Sequence, residues 1–284
     1  MTGQRDPRAH WLDDDPFDKI GSPGSHSAAR DDGNWRQPHI RVVHESGSGA
    51  PFVRIFGVEE QARPIPVHTG SIWHFSETEI NHLTQATLAF TLALAFMFSG
   101  GIYGALINLD VFLVYGLLSL VTFTPGFLIH EIAHKVQARK YGCWAEFRAS
   151  PRGLRFGVIL AALIGVVLMA PGAVMVAGST TKEQFGKIAL AGPVSNVVLW
   201  CMGLLVAIAT GGPGGIASES YWVGRVIFYW MWANGILGAL NMLPFGPLDG
   251  KKIKIWSESM FWLWLIIAVS MVWFNFTQLG ALLG

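Results

Sequence analysis

The stretch VFLVYGLLSLVTFTPGFLIHEIAH, Val111 to His134, decides the architecture. It begins as an apolar run of membrane-spanning character and ends, without a break, on His130, Glu131 and His134. At about 1.5 Å per helical residue, His130 lies roughly 28 Å from Val111, near the far edge of a hydrocarbon core about 30 Å thick. Ionisable side chains at such depth cost roughly 2.5–3.5 kcal/mol each on insertion scales, and they mark function by default. Positions i and i+4 of a helix share one face, so His130 and His134 can hold one metal ion together, with Glu131 beside them.

The remainder of the chain is built for the same environment. Of its 284 residues 51% are hydrophobic and 14% charged, with a mean hydropathy of +0.41, whereas a soluble domain carries roughly 25% charged residues. Residues 1–80 hold 8 Lys/Arg against 12 Asp/Glu, and residues 81–284 hold 12 against 7, so an acidic polar head precedes a basic apolar body. The opening MTGQRDPRAHWLDDDPFD has no apolar core, so it does not read as a cleavable signal peptide, and the first span is expected to serve as the insertion signal. Two cysteines, Cys143 and Cys201, make no disulfide framework.

Residues 1–38 have the composition of a loosely held segment, and HIRVV (39–43) and PFVRIFGV (51–58) read as short strands between Gly/Ser/Pro breaks. Ser76 stands three residues before Glu79, a capping-box pattern that opens the first span, about His82 to Phe98. The second span runs from Val111 into HEIAH, and the last covers about Phe261 to Leu283. Lys135, Arg139, Lys140, Arg148, Arg152 and Arg155 crowd a short loop, and Lys251–Lys254 form another, which places both on the cytoplasmic side.

Three apolar stretches lie between those loops: Phe156–Ala177, Ile188–Ala209 and Trp222–Leu243. Three crossings would put the loops on opposite sides, so one stretch should not cross. Pro171-Gly172 selects Phe156–Ala177 as a re-entrant or half-inserted element, the alternative being a full span with a different topology. The expected fold is an all-α polytopic membrane protein of five to six transmembrane helices, with a re-entrant or short β element near the site and a small irregular N-terminal region.

A catalytic zinc takes three protein ligands and keeps one position open. Asp110 and Glu219 fall toward the opposite face, and Glu146, Glu183 and Glu258 fall in loops or at span edges. Asp249, in NMLPFGPLDGKKI, lies at the same face as HEIAH, where Pro244, Gly246, Pro247 and Gly250 break the helix and allow a carboxylate to turn inward.

HEIAH, then LAGPVSN (190–196), then NMLPFGPLDG (241–250) together resemble the site-2 protease family of intramembrane zinc metalloproteases, in its prokaryotic, archaeal-type form without a PDZ domain. The resemblance covers roughly Phe75 to Trp256. It implies Zn2+ held by His130, His134 and Asp249, with Glu131 as the catalytic acid/base. Residues 76–284 are expected to form the metalloprotease domain, and residues 1–75, which have no counterpart in the family pattern, are expected from their composition to be a polar, partly disordered cytoplasmic region. Asn196 and Asn241, amides within shared motifs and otherwise apolar spans, are the candidates for stabilising an oxyanion; interhelical hydrogen bonding is their structural alternative. The implied partners are a transmembrane protein substrate and the lipid bilayer, with no nucleic acid, and the implied location is the cell membrane. Lys251 departs from the family's usual second glycine after LDG.

The scissile bond of a helical substrate must unwind before attack, and Thr122, Thr124, Pro125 and Gly126 read as a kink that widens a water-filled pocket. Two other readings stand beside the protease. A zinc transporter needs a chain of sites across the bilayer, yet the other histidines (10, 26, 39, 44, 68, 74, 82) all lie at or before the first span. An inactive relative that binds membrane proteins would have no need of Glu131.

Overall fold

The computed structural model describes residues 41–42, 53–54, 71–169 and 171–284. They fall in two compact units, the first two pairs in one and residues from 71 onward in the other. In the smaller unit β1 (Arg41–Val42) pairs antiparallel with β2 (Val53–Arg54), inside the two segments read as strands.

The larger unit is helical: α1 (Glu77–Ser99), α2 (Gly101–Ile107), α3 (Leu109–Lys140), α4 (Pro151–Ile164), α5 (Lys182–Thr210), α6 (Ile216–Glu219), α7 (Tyr221–Asn241), α8 (Asp249–Trp256), α9 (Glu258–Thr277) and α10 (Leu279–Leu283), with β3 (Trp144–Ala149) and β4 (Gly172–Ala177) between them. Among the described residues four helices, α1, α3, α5 and α9, are long and apolar enough to cross a membrane, against the five to six expected. The difference lies at α4, α7 and the segment after α4. Helix α7 has the length of a span, with 21 residues, but Arg225, Asn234 and Asn241 dilute its apolar character. It packs on α3, α5 and α9.

The stretch Phe156–Ala177 is not one element. Ser150 caps α4 by accepting from the Gly153 N–H, Pro151 occupies its first turn, and Gly165 ends it in the left-handed region at φ 68°. At 14 residues it is about 21 Å long, short of a bilayer core. The chain then returns as β4, which pairs antiparallel with β3 from Trp144↔Ala177 to Ala149↔Gly172. The stretch is therefore not one full span, and its return is a strand. Burial against protein is one-sided: Leu154, Gly157 and Ala161 are buried, while Phe156, Ile159 and Leu163 are exposed.

Helix α3 is the central element, in contact with α1, α5 and α7. It runs through Pro125 as one helix of 32 residues. Phe123 and Phe127 pack with Phe90, Leu94, Phe147 and Leu154, which joins α1, α3, β3 and α4 in one core.

The basic residues after HEIAH divide. Arg148, Arg152 and Arg155 lie on β3 and α4, whereas Lys135 and Arg139 are buried within α3. Lys135 pairs with Glu79, whose side chain is turned away from its own N-terminus. Ser76 does cap α1, accepting from the Glu79 N–H at 3.1 Å, but the Glu79 carboxylate holds Lys135 and the Phe147 N–H, the latter at 3.0 Å. Lys135 and Arg139 also donate to the His74 carbonyl, at 2.7 and 2.5 Å. Removing one member of a buried pair strands the other charge. Glu79→Ala is accordingly expected to lower stability by about 3–5 kcal/mol, read as a fall in the thermal unfolding midpoint in detergent; an unchanged midpoint would contradict a structural role for this pair.

Candidate metal centre

The site is assembled by three helices. One face of α3 carries His130 and His134, α5 runs across that face, and α8 begins beneath it with Asp249 as its first residue. A glycine makes the α3–α5 approach feasible: a Cβ at Gly192, in LAGPVSN, would fall on the Nε2 atoms of both histidines. A second glycine sets Asp249, because a Cβ at Gly250 would fall on the Met242 carbonyl. The chain thus turns back tightly between α7 and α8, and the carboxylate sits at a helix N-terminus, where the positive dipole end favours it. Asp249 is therefore helical rather than in the irregular backbone expected from the surrounding Pro and Gly.

His130, His134 and Asp249 are 3%, 7% and 4% exposed. Nε2 of His130 and Nε2 of His134 are 3.1 Å apart, and Oδ2 of Asp249 lies 3.2 Å from the first and 2.9 Å from the second. Ligands about 2.0–2.1 Å from one tetrahedral zinc stand roughly 3.3 Å apart, so the triangle has nearly the required edges. Among the described residues this is the one group of three or more His, Cys, Asp or Glu side chains placed to hold a metal ion.

The atoms pointing away from the triangle are also engaged. His134 Nδ1 donates to the Ile188 carbonyl at 2.7 Å, His130 Nδ1 to Asn196 Oδ1 at 2.6 Å, and Lys252 Nζ to Asp249 Oδ1 at 2.9 Å. With the ring protons on Nδ1, both Nε2 lone pairs are left for the metal. Three buried acceptors directed at one point form the donor set of a cation, and two imidazoles with one carboxylate suit zinc. Burial alone would raise the Asp249 carboxyl, but the positive charge of a protonated His134 and hydrogen bonds from both imidazoles hold it well below the ordinary carboxylate range, the part that a cation on the triangle would take over.

Glu131 is half-buried, and the charged groups acting on it are His134, His130, Asp249 and Lys252. Asn196 is fully buried, with its oxygen on His130 and its Nδ2 donating to the Gly126 carbonyl at 3.2 Å and Asn234 Oδ1 at 3.1 Å. Asn241 is not brought to the triangle by its hydrogen bond: Nδ2 donates within its own helix to the Leu237 carbonyl at 2.9 Å. Sequence reasoning missed the Ile188 carbonyl, Lys252 and Asn234. The first carries no residue-type signal, whereas Asn234 is an amide in an apolar segment, seven residues before Asn241, and was legible on that ground. Lys251, the departure from the family pattern, is exposed, and its neighbour Lys252 is the one that reaches Asp249.

Gly192→Ala is expected to push both imidazoles off the triangle and to weaken zinc binding by roughly tenfold or more, the scale on which changes just outside a metal site act. Competition with a fluorescent chelator measures it, and unaltered affinity would refute the close approach of α5.

Over 203 residues the chain is 38% identical to "Putative zinc metalloprotease MJ0611" of Methanocaldococcus jannaschii, an alignment that takes in 71% of this chain and 95% of that protein. It is 30% identical over 165 residues to "Putative zinc metalloprotease YwhC" of Bacillus subtilis, covering 51% of this chain and 73% of that one. A third relative, "Putative zinc metalloprotease Rip3" of Mycobacterium tuberculosis, is 31% identical over 167 residues, 58% of this chain and 36% of the relative. No family model matches the chain, and no solved structure matches it significantly.

Proposed function

We propose, from the premise that this chain belongs to the site-2 protease family of zinc metalloproteases, that it hydrolyses peptide bonds of transmembrane substrates within the membrane. The observation that carries this reading is the triangle of His130, His134 and Asp249, two of its members borne by a helix apolar enough to cross a membrane. A zinc bound there supplies a Lewis acid that makes water acidic near neutral pH and polarises a carbonyl.

The chain's own residues supply the remainder. Glu131, one residue after a ligand, takes the proton of the attacking water on its carboxylate and returns it to the leaving amine. His130 and His134 are fixed in one tautomer by Asn196 and the Ile188 carbonyl. Asn241 serves as an oxyanion donor only if its Nδ2 leaves the Leu237 carbonyl when substrate binds. Asn196, already committed on both sides of its amide, is better suited to orienting His130. The substrate helix has to unwind locally, because a helical peptide bond presents no free carbonyl to the site.

The protein then resides in the cell membrane as a multi-pass enzyme, with residues 1–75 a cytoplasmic region and residues 76–284 the protease domain. The excess of Lys and Arg at Arg148–Arg155 and Lys251–Lys254 supports a cytoplasmic mouth. A transporter reading has less support, since the described residues hold one metal-ligating cluster rather than a chain of them.

The test is cleavage of a single-span substrate in proteoliposomes, with products sized by mass spectrometry and zinc withdrawn by a chelator, then restored. Cuts inside the apolar segment that stop and resume with zinc are expected. Cuts confined to the soluble flanks would overturn the intramembrane reading.

A further inference from the structure

We infer that Asn234 is a positioning residue for the metal centre: it fixes the orientation of the Asn196 amide, and through it the tautomer and direction of His130. The inference rests on His130 being a zinc ligand and is independent of what the enzyme cuts.

An asparagine amide is nearly symmetric in shape but not in chemistry, since one end accepts and the other donates. Reversed, Asn196 would set its Nδ2 against the His130 ring and force the ring proton onto Nε2, the atom that faces Asp249 and the metal. What prevents reversal is a relay anchored on backbone carbonyls, which can only accept. Asn234 Nδ2 donates to the Trp230 carbonyl at 2.9 Å, so Asn234 Oδ1 is the end turned to Asn196. That oxygen accepts from Asn196 Nδ2 at 3.1 Å, and the Gly126 carbonyl accepts from the same nitrogen at 3.2 Å. Asn196 Oδ1 is then the end left for His130 Nδ1, at 2.6 Å.

Every member of the relay is out of water: Asn196 and Asn234 are both 0% exposed and His130 is 3% exposed. Solvent therefore cannot substitute for a missing partner, and a wrong orientation would leave acceptor facing acceptor at two points. Gly126 lets α7 come close enough, since a Cβ there would lie 2.9 Å from Asn234 Oδ1 and 3.3 Å from Leu237. The relay thus crosses three helices, α7 to α5 to α3, and ends on a ligand.

A side chain at position 196 that carries no amide separates positioning from packing, because it has no orientation to lose. Zinc dissociation constants from chelator competition are measured for Asn234→Leu, for Asn196→Ala and for the two combined. Asn234→Leu alone is expected to weaken zinc about 10- to 100-fold, the scale of changes just outside a metal site, while in the Asn196→Ala background the same change has no further effect. Equal weakening in both backgrounds would overturn the inference. In a second measurement, the zinc-loaded native protein with 15N-labelled histidine, its signals assigned by loss in His130→Ala, should show a slowly exchanging proton on His130 Nδ1. Fast exchange at that nitrogen would overturn it too. Neither readout involves proteolysis, so a failure to cleave with both results as expected would count against the protease reading alone.

Discussion

Glu131→Gln is expected to lower cleavage by about 10²- to 10⁴-fold, the range over which a positioned acid/base acts, and to leave zinc content unchanged. The reasoning separates two functions carried on adjacent residues. His130 is a corner of the triangle and is engaged at both nitrogens, whereas Glu131 is not among the side chains placed to hold the ion. Glutamine has nearly the shape of glutamate, so the half-buried position is filled as before and the α3 face keeps its packing. What disappears is a carboxylate able to take a proton beside His134 and Asp249. Native and variant protein, reconstituted side by side with a single-span substrate, give the rate, and elemental analysis gives the zinc. Equal cleavage would remove Glu131 from the mechanism and return the base role to another group; a parallel loss of zinc would mean that it acts as a ligand.

How much of this was legible in the chain depends on how local each feature is. HEIAH could be read because i and i+4 on one helix are fixed by helical geometry alone. Asp249 could be read because so few acids lie in the apolar part and only one falls at the right depth; its place in the triangle needs no contact information beyond that. The role of Asn196 was not legible. LAGPVSN puts an amide on α5, but which atom it meets depends on how closely α5 lies on α3, and that is set by Gly192 under the two imidazoles.

Lys135 and Arg139 were misread for a related reason. A run of positive charge after an apolar segment predicts a solvated loop, and the partner that buries Lys135, Glu79, stands 56 residues away at the start of α1. The interruption at Pro171-Gly172 was visible in residue type, whereas its pairing with β3 was not, because antiparallel register between Trp144–Ala149 and Gly172–Ala177 is a non-local property. Pro125, a residue that kinks helices, lies inside α3, which remains one helix across it.

Asp249→Ala is expected to abolish stable zinc binding, with metal content after brief dialysis against a chelator falling from near one ion per chain to near zero. Two imidazoles remain, and a site of two neutral nitrogens loses both a coordination bond and the one negative charge that offsets the cation. The fold should survive: α8 is held by Ile253 at 0% exposure, packed with Met242 and Phe261, and Lys252, freed from its partner, is about a third exposed and can be solvated. Lys252→Met is the matched control. It removes the contact to Oδ1 while leaving Oδ2 on the triangle, and should keep the metal with only weakened affinity. Retention of zinc by Asp249→Ala would show that another group closes the site, and the ligand set would have to be redrawn around His130 and His134.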